Sequence, residues 1–259
     1  MLKRLGRFFR ELLFPPKCVS CGVFLKKDVL DPVTGVFCDS CGRAWRRLHF
    51  ERCGTCGLEY ARCRCKPKLL RDLGVLDAVK LIPYERVRET VGKKSILFMK
   101  KRNSGALFRF LGKELATALT ERLRDSGKEK AHILVTYLPR GRRGVNRYGF
   151  DQSRLLAREA ARELGAEFLS VFRRKFAPFS REQKHLSAKK RKRNMQSAFH
   201  LRKKGKRTIE TCDFLVIVDD VVTTGASLAG CLSLLDKQMR AKTICLTVGV
   251  TPSPKKRIK

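Results

Sequence analysis

The stretch Phe214 to Leu228, FLVIVDDVVTTGASL, decides the fold. Its five leading residues are apolar and β-rich, the pattern of a fully buried strand, and they deliver two adjacent carboxylates, Asp219 and Asp220, to the strand's C-terminal end. Val221 and Val222 follow, then Thr223, Thr224, Gly225, Ala226 and Ser227 lead straight into a helix on which Leu228, Leu232 and Leu235 face one way. Ligands of open α/β sheets bind at the carboxyl edge of the strands. Hydroxyls and free N–H groups at a helix start bind phosphate, and Gly225 permits close approach. Carboxylates beside such a cradle fit ribose hydroxyls, with the cradle holding the sugar's 5′-phosphate. The plainer alternative is a capping pair at a strand end, against which the hydroxyl-rich turn argues.

Working outward, strands and helices alternate. Helical spacing recurs through Leu107, Leu111, Leu115 and Leu119, and a β-rich run from His132 to Leu138 stops at Pro139. A second helix is expected from Gln152 to Leu164, ending at Gly165, and a last β-branched stretch spans Thr243 to Val250. This alternation predicts an α/β fold with a parallel sheet flanked by helices.

Eight of the eleven cysteines fall between 18 and 65. They read C-x2-C (Cys18, Cys21), C-x2-C (Cys38, Cys41), C-x2-C (Cys53, Cys56) and C-x-C (Cys63, Cys65). Two close thiolate pairs are what one tetrahedral Zn2+ requires. Gly22, Gly42, Gly54 and Gly57 stand where tight knuckle turns need them. A disulfide framework belongs to secreted chains, and no secretion signal is visible. Sequential grouping (18, 21, 38, 41 and 53, 56, 63, 65) is the simpler arrangement, with cross-bracing as the alternative. Four thiolates close each site to substrate, so both zinc ions are expected to be structural. Cys212, Cys231 and Cys245 read as small buried hydrophobes.

The chain has 259 residues and a formal charge of +35, with 43% hydrophobic residues. That hydrophobic content excludes global disorder, and the charge favours a polyanionic partner. No apolar run approaches the length of a membrane span, and a cytoplasmic protein is expected. The stripe Leu2, Leu5, Phe8, Phe9, Leu12 and Leu13 has helical spacing and ends at Pro15-Pro16. It reads as a helix docked on its own protein, or alternatively as a membrane-surface helix. Lys66 to Gly74 reads as a linker, which divides the chain into 1–66, with a charge of +8, and 67–259, with +27.

The segment 214–228 resembles the phosphoribosyl diphosphate (PRPP) signature of type I phosphoribosyltransferases. The chain around it resembles the ComF family, double-zinc-ribbon phosphoribosyltransferase-like proteins linked to bacterial competence and DNA uptake. LPRGRRGVNRYGFDQSRLLA (138–157) and PYERVRETVGKKSILFMKKR (83–102) are similar to segments of that family. Gln183, Leu186, Arg193, Asn194, Ala198 and Phe199 fit its spacing. The resemblance implies a type I phosphoribosyltransferase-like sheet behind a double zinc ribbon. It implies that Asp219 and Asp220 contact the ribose hydroxyls and their Mg2+ and act in catalysis. Val221 to Ser227 would bind PRPP, with Thr223 to Ser227 on its 5′-phosphate, and Pro139 and Arg140 would face pyrophosphate. Implied partners are PRPP, single-stranded DNA, and a competence helicase or other DNA-uptake proteins. Two departures stand out. Tyr148 replaces the family's usual Arg before Gly149, and Thr223 stands where purine-salvage relatives carry an Asp. The base is therefore not inherited. A phosphoribosyltransferase with an unknown acceptor, a DNA-handling module and a PRPP-sensing regulator remain as three readings.

Residues 173–207 hold 15 Lys or Arg against Glu182 alone, densest at Lys189, Lys190, Arg191, Lys192 and Arg193. Such a run suits the phosphates of single-stranded DNA, with Phe172, Phe176, Phe179 and Phe199 as candidate stacking platforms. Neutralisation of the diphosphate and a solvated basic face are the competing readings. His185 and His200 read as ordinary polar positions.

Overall fold

Four buried strands and one short edge strand pair side by side into a single parallel sheet. The computed structural model describes residues 15–26, 29–175 and 198–252. Its strands are β1 (Asp77–Pro83), β2 (Ile133–Tyr137), β3 (Glu167–Phe168), β6 (Phe214–Val222) and β7 (Thr243–Val250), in the order β1-β7-β6-β2-β3, every pair parallel. A separate antiparallel pair joins β4 (Phe172–Arg174) to β5 (Phe199–Leu201).

One face of the sheet carries α1 (Asp39–His49), α3 (Val91–Lys101), α4 (Gly105–Arg124) and α6 (Gln152–Leu164). The other carries α2 (Lys68–Asp72), α7 (Lys203–Thr211), α8 (Ala226–Leu232) and α9 (Lys237–Ala241). Helix α5 (Arg142–Tyr148) buries no residue. Side-chain caps fix several helix starts, with Thr90 accepting from Lys93 N, Ser104 from Leu107 N and Asp151 from Ser153 N. Gly165, at φ 61°, ends α6 where the sequence places its stop. Each fully buried Leu, Ile or Val of these strands contributes about 2 kcal/mol.

Strand β1 carries no clean apolar signal because Asp77 and Lys80 interrupt it, yet all seven of its residues are buried. The expected linker 66–74 contains α2, whose Leu70 is fully buried in the second core. Leu228, Leu232 and Leu235 are all buried as expected, but only the first two lie on α8, and Leu235 sits in the turn before α9. The chain turns after Leu232 because Asp236 caps a new helix, its Oδ1 accepting from Met239 N at 2.8 Å. The apolar stripe at 2–13 lies outside the described residues. Among those described, no helix is long and apolar enough to cross a membrane.

Candidate functional site

Asp219 and Asp220 do not follow the strand, as the apolar run alone suggests; β6 continues through them to Val222. Adjacent strand residues ordinarily face opposite sides. Along β6, Leu215 and Ile217 belong to one apolar core and Val216 and Val218 to the other, but Val221 then packs with the second set and Val222 with the first. The alternation therefore inverts across the two carboxylates, while the pairing to β7 keeps its register from Leu215↔Thr243 to Val222↔Val250. As a result both carboxylates reach the start of one helix, α6. Ser153 Oγ donates to Asp219 Oδ1 at 3.0 Å, and Gln152 Nε2 donates to Asp220 Oδ2 at 3.1 Å. Lys100, from the last turn of α3, places Nζ 3.4 Å from Asp220 Oδ2.

Burial, and after it the neighbouring Asp220 carboxylate, pushes the Asp219 carboxyl well above the usual carboxylate range. The Asp220 N–H, the Ser153 hydroxyl and Lys100 pull the other way. Two carboxylates crowded into a dry strand end favour a cation or a shared proton.

The loop after β2 is tied to the same helix start. Pro139 is buried, and Arg140 N donates to Asp151 Oδ2 at 2.8 Å. The Arg140 guanidinium donates to Gln152 Oε1 at 2.6 Å and to Lys100 O at 3.1 Å, and lies 4.8 Å from the centre of the Tyr148 ring. Tyr148 thus serves as a platform for Arg140 and, at 5.4 Å, for Arg147. Thr223 and Thr224 are exposed, and Gly225, at φ 77°, opens α8. A Cβ on Gly225 would stand 3.0 Å from Leu70 Cγ, so α2 is the floor beneath this turn. Lys189 to Arg193 lie outside the described residues, as do Phe176 and Phe179. Phe172 and Phe199 are each 1% exposed core residues, which corrects the expectation that they offer stacking platforms. The apolar faces of β4 and β5 turn them inward against the second core.

The cysteines group sequentially, Cys18, Cys21, Cys38, Cys41 and Cys53, Cys56, Cys63, Cys65, with all sulfurs of a set within 4.8 Å of one another. Cys21 Sγ and Cys38 Sγ are 3.7 Å apart, against the roughly 3.8 Å edge of a tetrahedron with 2.3 Å Zn–S bonds. Both sets therefore fit Zn2+. Burial acts to raise the Cys18 thiol, but the N–H groups of Cys21, Cys38 and Ser20 prevail and bring it down to about 7. Cys53 is likewise brought to about 6 against its burial, chiefly by Thr55 and Cys56 N–H, while burial pushes Cys65 up to about 12. Of the four glycines expected in knuckle turns, Gly22 and Gly57 adopt positive φ. Gly42 has a different duty, since a Cβ there would sit 1.9 Å from Asp31 Oδ2. The three later cysteines are buried, as expected.

Each cluster is built into the α/β core by different chemistry. Beside the first, Trp45 of α1 stacks on Phe37 at 5.6 Å and meets Phe110 of α4 edge-on at 5.5 Å. Beside the second, the buried Lys80 donates to Cys63 O at 2.8 Å, Cys65 O at 2.6 Å and Ala78 O at 3.1 Å. Arg122 joins it, donating to Asp77 Oδ2 at 2.6 Å and Ala61 O at 2.7 Å. A crevice lined by Cys53, Tyr60, Cys63, Lys66, Thr223 and Thr251 separates this cluster from the hydroxyl-rich turn, and neither carboxylate lines it.

Lys100, Gln152 and Ser153 were not singled out from the sequence. An Asp-Gln-Ser helix start is a capping signal (Asp151), and only the topology shows that its next two side chains meet β6.

Together these features define a class: a parallel α/β protein with a carboxylate pair at the sheet's carboxyl edge and two tetracysteine clusters. No family model matches the chain. It is 31% identical over 205 residues to "DNA utilization protein YhgH" of Salmonella typhimurium (strain LT2), an alignment covering 76% of this chain and 83% of the relative. The protein of the same name from Salmonella typhi aligns with the same identity and coverage. The chain belongs to the family of these DNA utilization proteins.

Proposed function

We propose that this protein binds PRPP with Mg2+ at the β6 edge and handles single-stranded DNA in uptake or utilization. The observation that carries the PRPP reading is the carboxylate pair, held by Ser153, Gln152 and Lys100 at the edge where α/β sheets bind ligands. Asp219 and Asp220 would hold the ribose hydroxyls and Mg2+, an ion that takes carboxylate oxygens and substrate phosphates. Thr223 to Ser227 would take the 5′-phosphate. Mg2+, when bound, neutralises charge on the diphosphate. In a transfer reaction the bond from C1 to the diphosphate oxygen breaks with its electron pair leaving on pyrophosphate, and an acceptor nucleophile bonds to C1. The carboxylates steady the cationic sugar between these events. Arg140, whose guanidinium bonds Gln152 and stacks on Tyr148, would face the leaving pyrophosphate.

A second reading is a non-catalytic PRPP sensor or binding module. It is favoured by Thr223, which leaves this motif without the Asp that purine-salvage relatives carry, and by Lys100, which already stands 3.4 Å from Asp220. The DNA reading draws on the names of the relatives, on the basic surplus and on the implied uptake partners, a helicase among them.

Calorimetry with PRPP and Mg2+, followed by a screen of nucleobases, nucleotides and DNA for pyrophosphate release, tests both readings. Binding with release supports the transferase, and binding without release supports the sensor. Absence of binding removes PRPP from the account.

A further inference from the structure

The described residues carry a basic surface made of residues other than Lys189 to Arg193. It is built from α5, the β4/β5 pair and α7. Residues 139–149, 171–175 and 198–211 contain twelve Lys or Arg and one acid, Glu210, whereas the whole chain holds 59 against 24. Elsewhere cations sit beside acids, as in Arg43–Asp39, Arg46–Asp31, Arg88–Glu51 and Arg162–Glu159. Among the described residues, no ion pair joins a carboxylate to Arg143, Arg147, Arg173, Arg174 or Lys175, nor to any cation of α7. Gathering like charges without counter-charge destabilises a fold. The arrangement is stable in use when a polyanion supplies what the acids do not.

The elements are contiguous. A Cβ on Gly141, the residue before α5, would lie 3.7 Å from Arg174 Nε of β4. Arg202 N donates to Val171 O at 2.9 Å, which fixes the start of α7 beside β4. The Arg174 guanidinium lies 5.3 Å from the Phe199 ring centre and that of Arg147 5.4 Å from Tyr148. A guanidinium laid on a ring keeps its fork of N–H donors for phosphate. Arg143 and Arg147 stand one helical turn apart, on one face.

A lipid surface is a poorer match. Membrane-surface helices pair their basic face with an exposed apolar one, whereas Ile209 of α7 is fully buried and none of the large exposed apolar side chains falls in these stretches. The patch also borders the candidate site, because Gly141 adjoins Arg140, whose guanidinium bonds the Gln152 that holds Asp220.

We propose that α5, the β4/β5 pair and α7 form the phosphate-backbone track of a single-stranded nucleic acid, running past the carboxylate edge. This deepens the DNA arm of the proposed function and rests on it. The test compares two four-residue variants, both keeping Lys189 to Arg193. The track variant is Arg143→Gln, Arg147→Gln, Arg173→Gln and Lys175→Gln. The control removes equal charge from the α4/α6 side, by Arg109→Gln, Lys113→Gln, Arg124→Gln and Arg158→Gln, all exposed residues. Fluorescence anisotropy with an oligothymidylate strand gives the slope of log affinity against log salt. The track variant is expected to flatten that slope by about 2 to 3 units, at about 0.7 per lost phosphate contact, and the control by less than about half a unit. Equal flattening by both variants, or none by the track variant, overturns the proposal. So does binding of the wild type to anionic vesicles that depends on the track while strand binding does not. A wild type that binds no strand ends the DNA arm itself, and the track with it. If the track variant does not fold, Arg143→Gln with Lys175→Gln replaces it, with an expected flattening of about 1 to 1.5 units.

Discussion

Lys100 Nζ lies 3.4 Å from Asp220 Oδ2, so a cation from α3 already stands at the carboxylate pair. The lysine is about a third exposed, and its own carbonyl holds Arg140. Replacing it with Met leaves the carboxylates more negative. Lys100→Met is expected to raise affinity for free Mg2+ several-fold while weakening PRPP binding about tenfold, because the diphosphate loses a counter-charge. Calorimetry with each ligand checks the two signs, and a change of both in the same direction contradicts the role assigned to Lys100.

Asp219 trades stability for charge. Its folded-state carboxyl is raised by burial and by Asp220, so the folded protein holds that proton more tightly than the unfolded chain. The resulting stabilisation is complete below the ordinary carboxylate range and is lost as pH rises through the raised value. Asp219→Asn keeps an oxygen to accept from Ser153 Oγ and the Asp220 N–H. It is expected to gain about 1 kcal/mol at neutral pH, roughly 2–4 °C in Tm, and to lose that slope. Thermal unfolding across the acid-to-neutral range reads both. An unchanged pH profile contradicts the burial argument.

The two clusters are expected to hold close to two zinc ions per chain, and Cys18→Ser or Cys53→Ser to cost one each along with local folding. The later cysteines are expected to be dispensable for metal. Lys80→Met separates the clusters, since the only metal-site residues Lys80 bonds are Cys63 and Cys65, of the second cluster. Zinc release to a chelator should become about tenfold faster for one ion and stay unchanged for the other, in line with the usual loss when a supporting contact to a metal ligand is removed. Equal acceleration of both ions, or none, contradicts the brace.

Gly225→Ala tests the floor of the hydroxyl-rich turn. A Cβ at φ 77° is strained by about 1 kcal/mol or more, and it presses on Leu70 at 3.0 Å. Ligand affinity at the turn should fall while the sheet survives, as judged by calorimetry beside circular dichroism. Full affinity in the variant contradicts the placement of a phosphate against this backbone.

Strands with a pure apolar signal were legible in the sequence. Thr243–Val250 and the helix Gln152–Leu164 fall where their residues place them. Strand β1 was not, because Asp77 and Lys80 read as surface residues until Arg122 and the Cys63 and Cys65 carbonyls supply their partners. Those contacts span up to 45 residues and leave no local trace. The carboxylates themselves were legible, being two charges at the end of an apolar run. Their partners Ser153 and Gln152 lie 66 and 68 residues away, and the inverted side-chain alternation that turns both carboxylates toward α6 has no sequence signature. Phe172 and Phe199 misled for the opposite reason, since in a run of cations an aromatic residue looks exposed, yet here they anchor a two-stranded pair to the core.

The central claim is that Asp219 and Asp220 bind Mg2+ and the PRPP ribose. Titration calorimetry of PRPP with Mg2+ into the wild type and into Asp219→Asn with Asp220→Asn tests it most directly, with thermal unfolding run beside it. The account predicts saturable Mg2+-dependent binding by the wild type and at least tenfold weaker binding by the folded double variant. Equal binding by the two proteins would contradict the site, and no binding by the wild type would contradict the ligand.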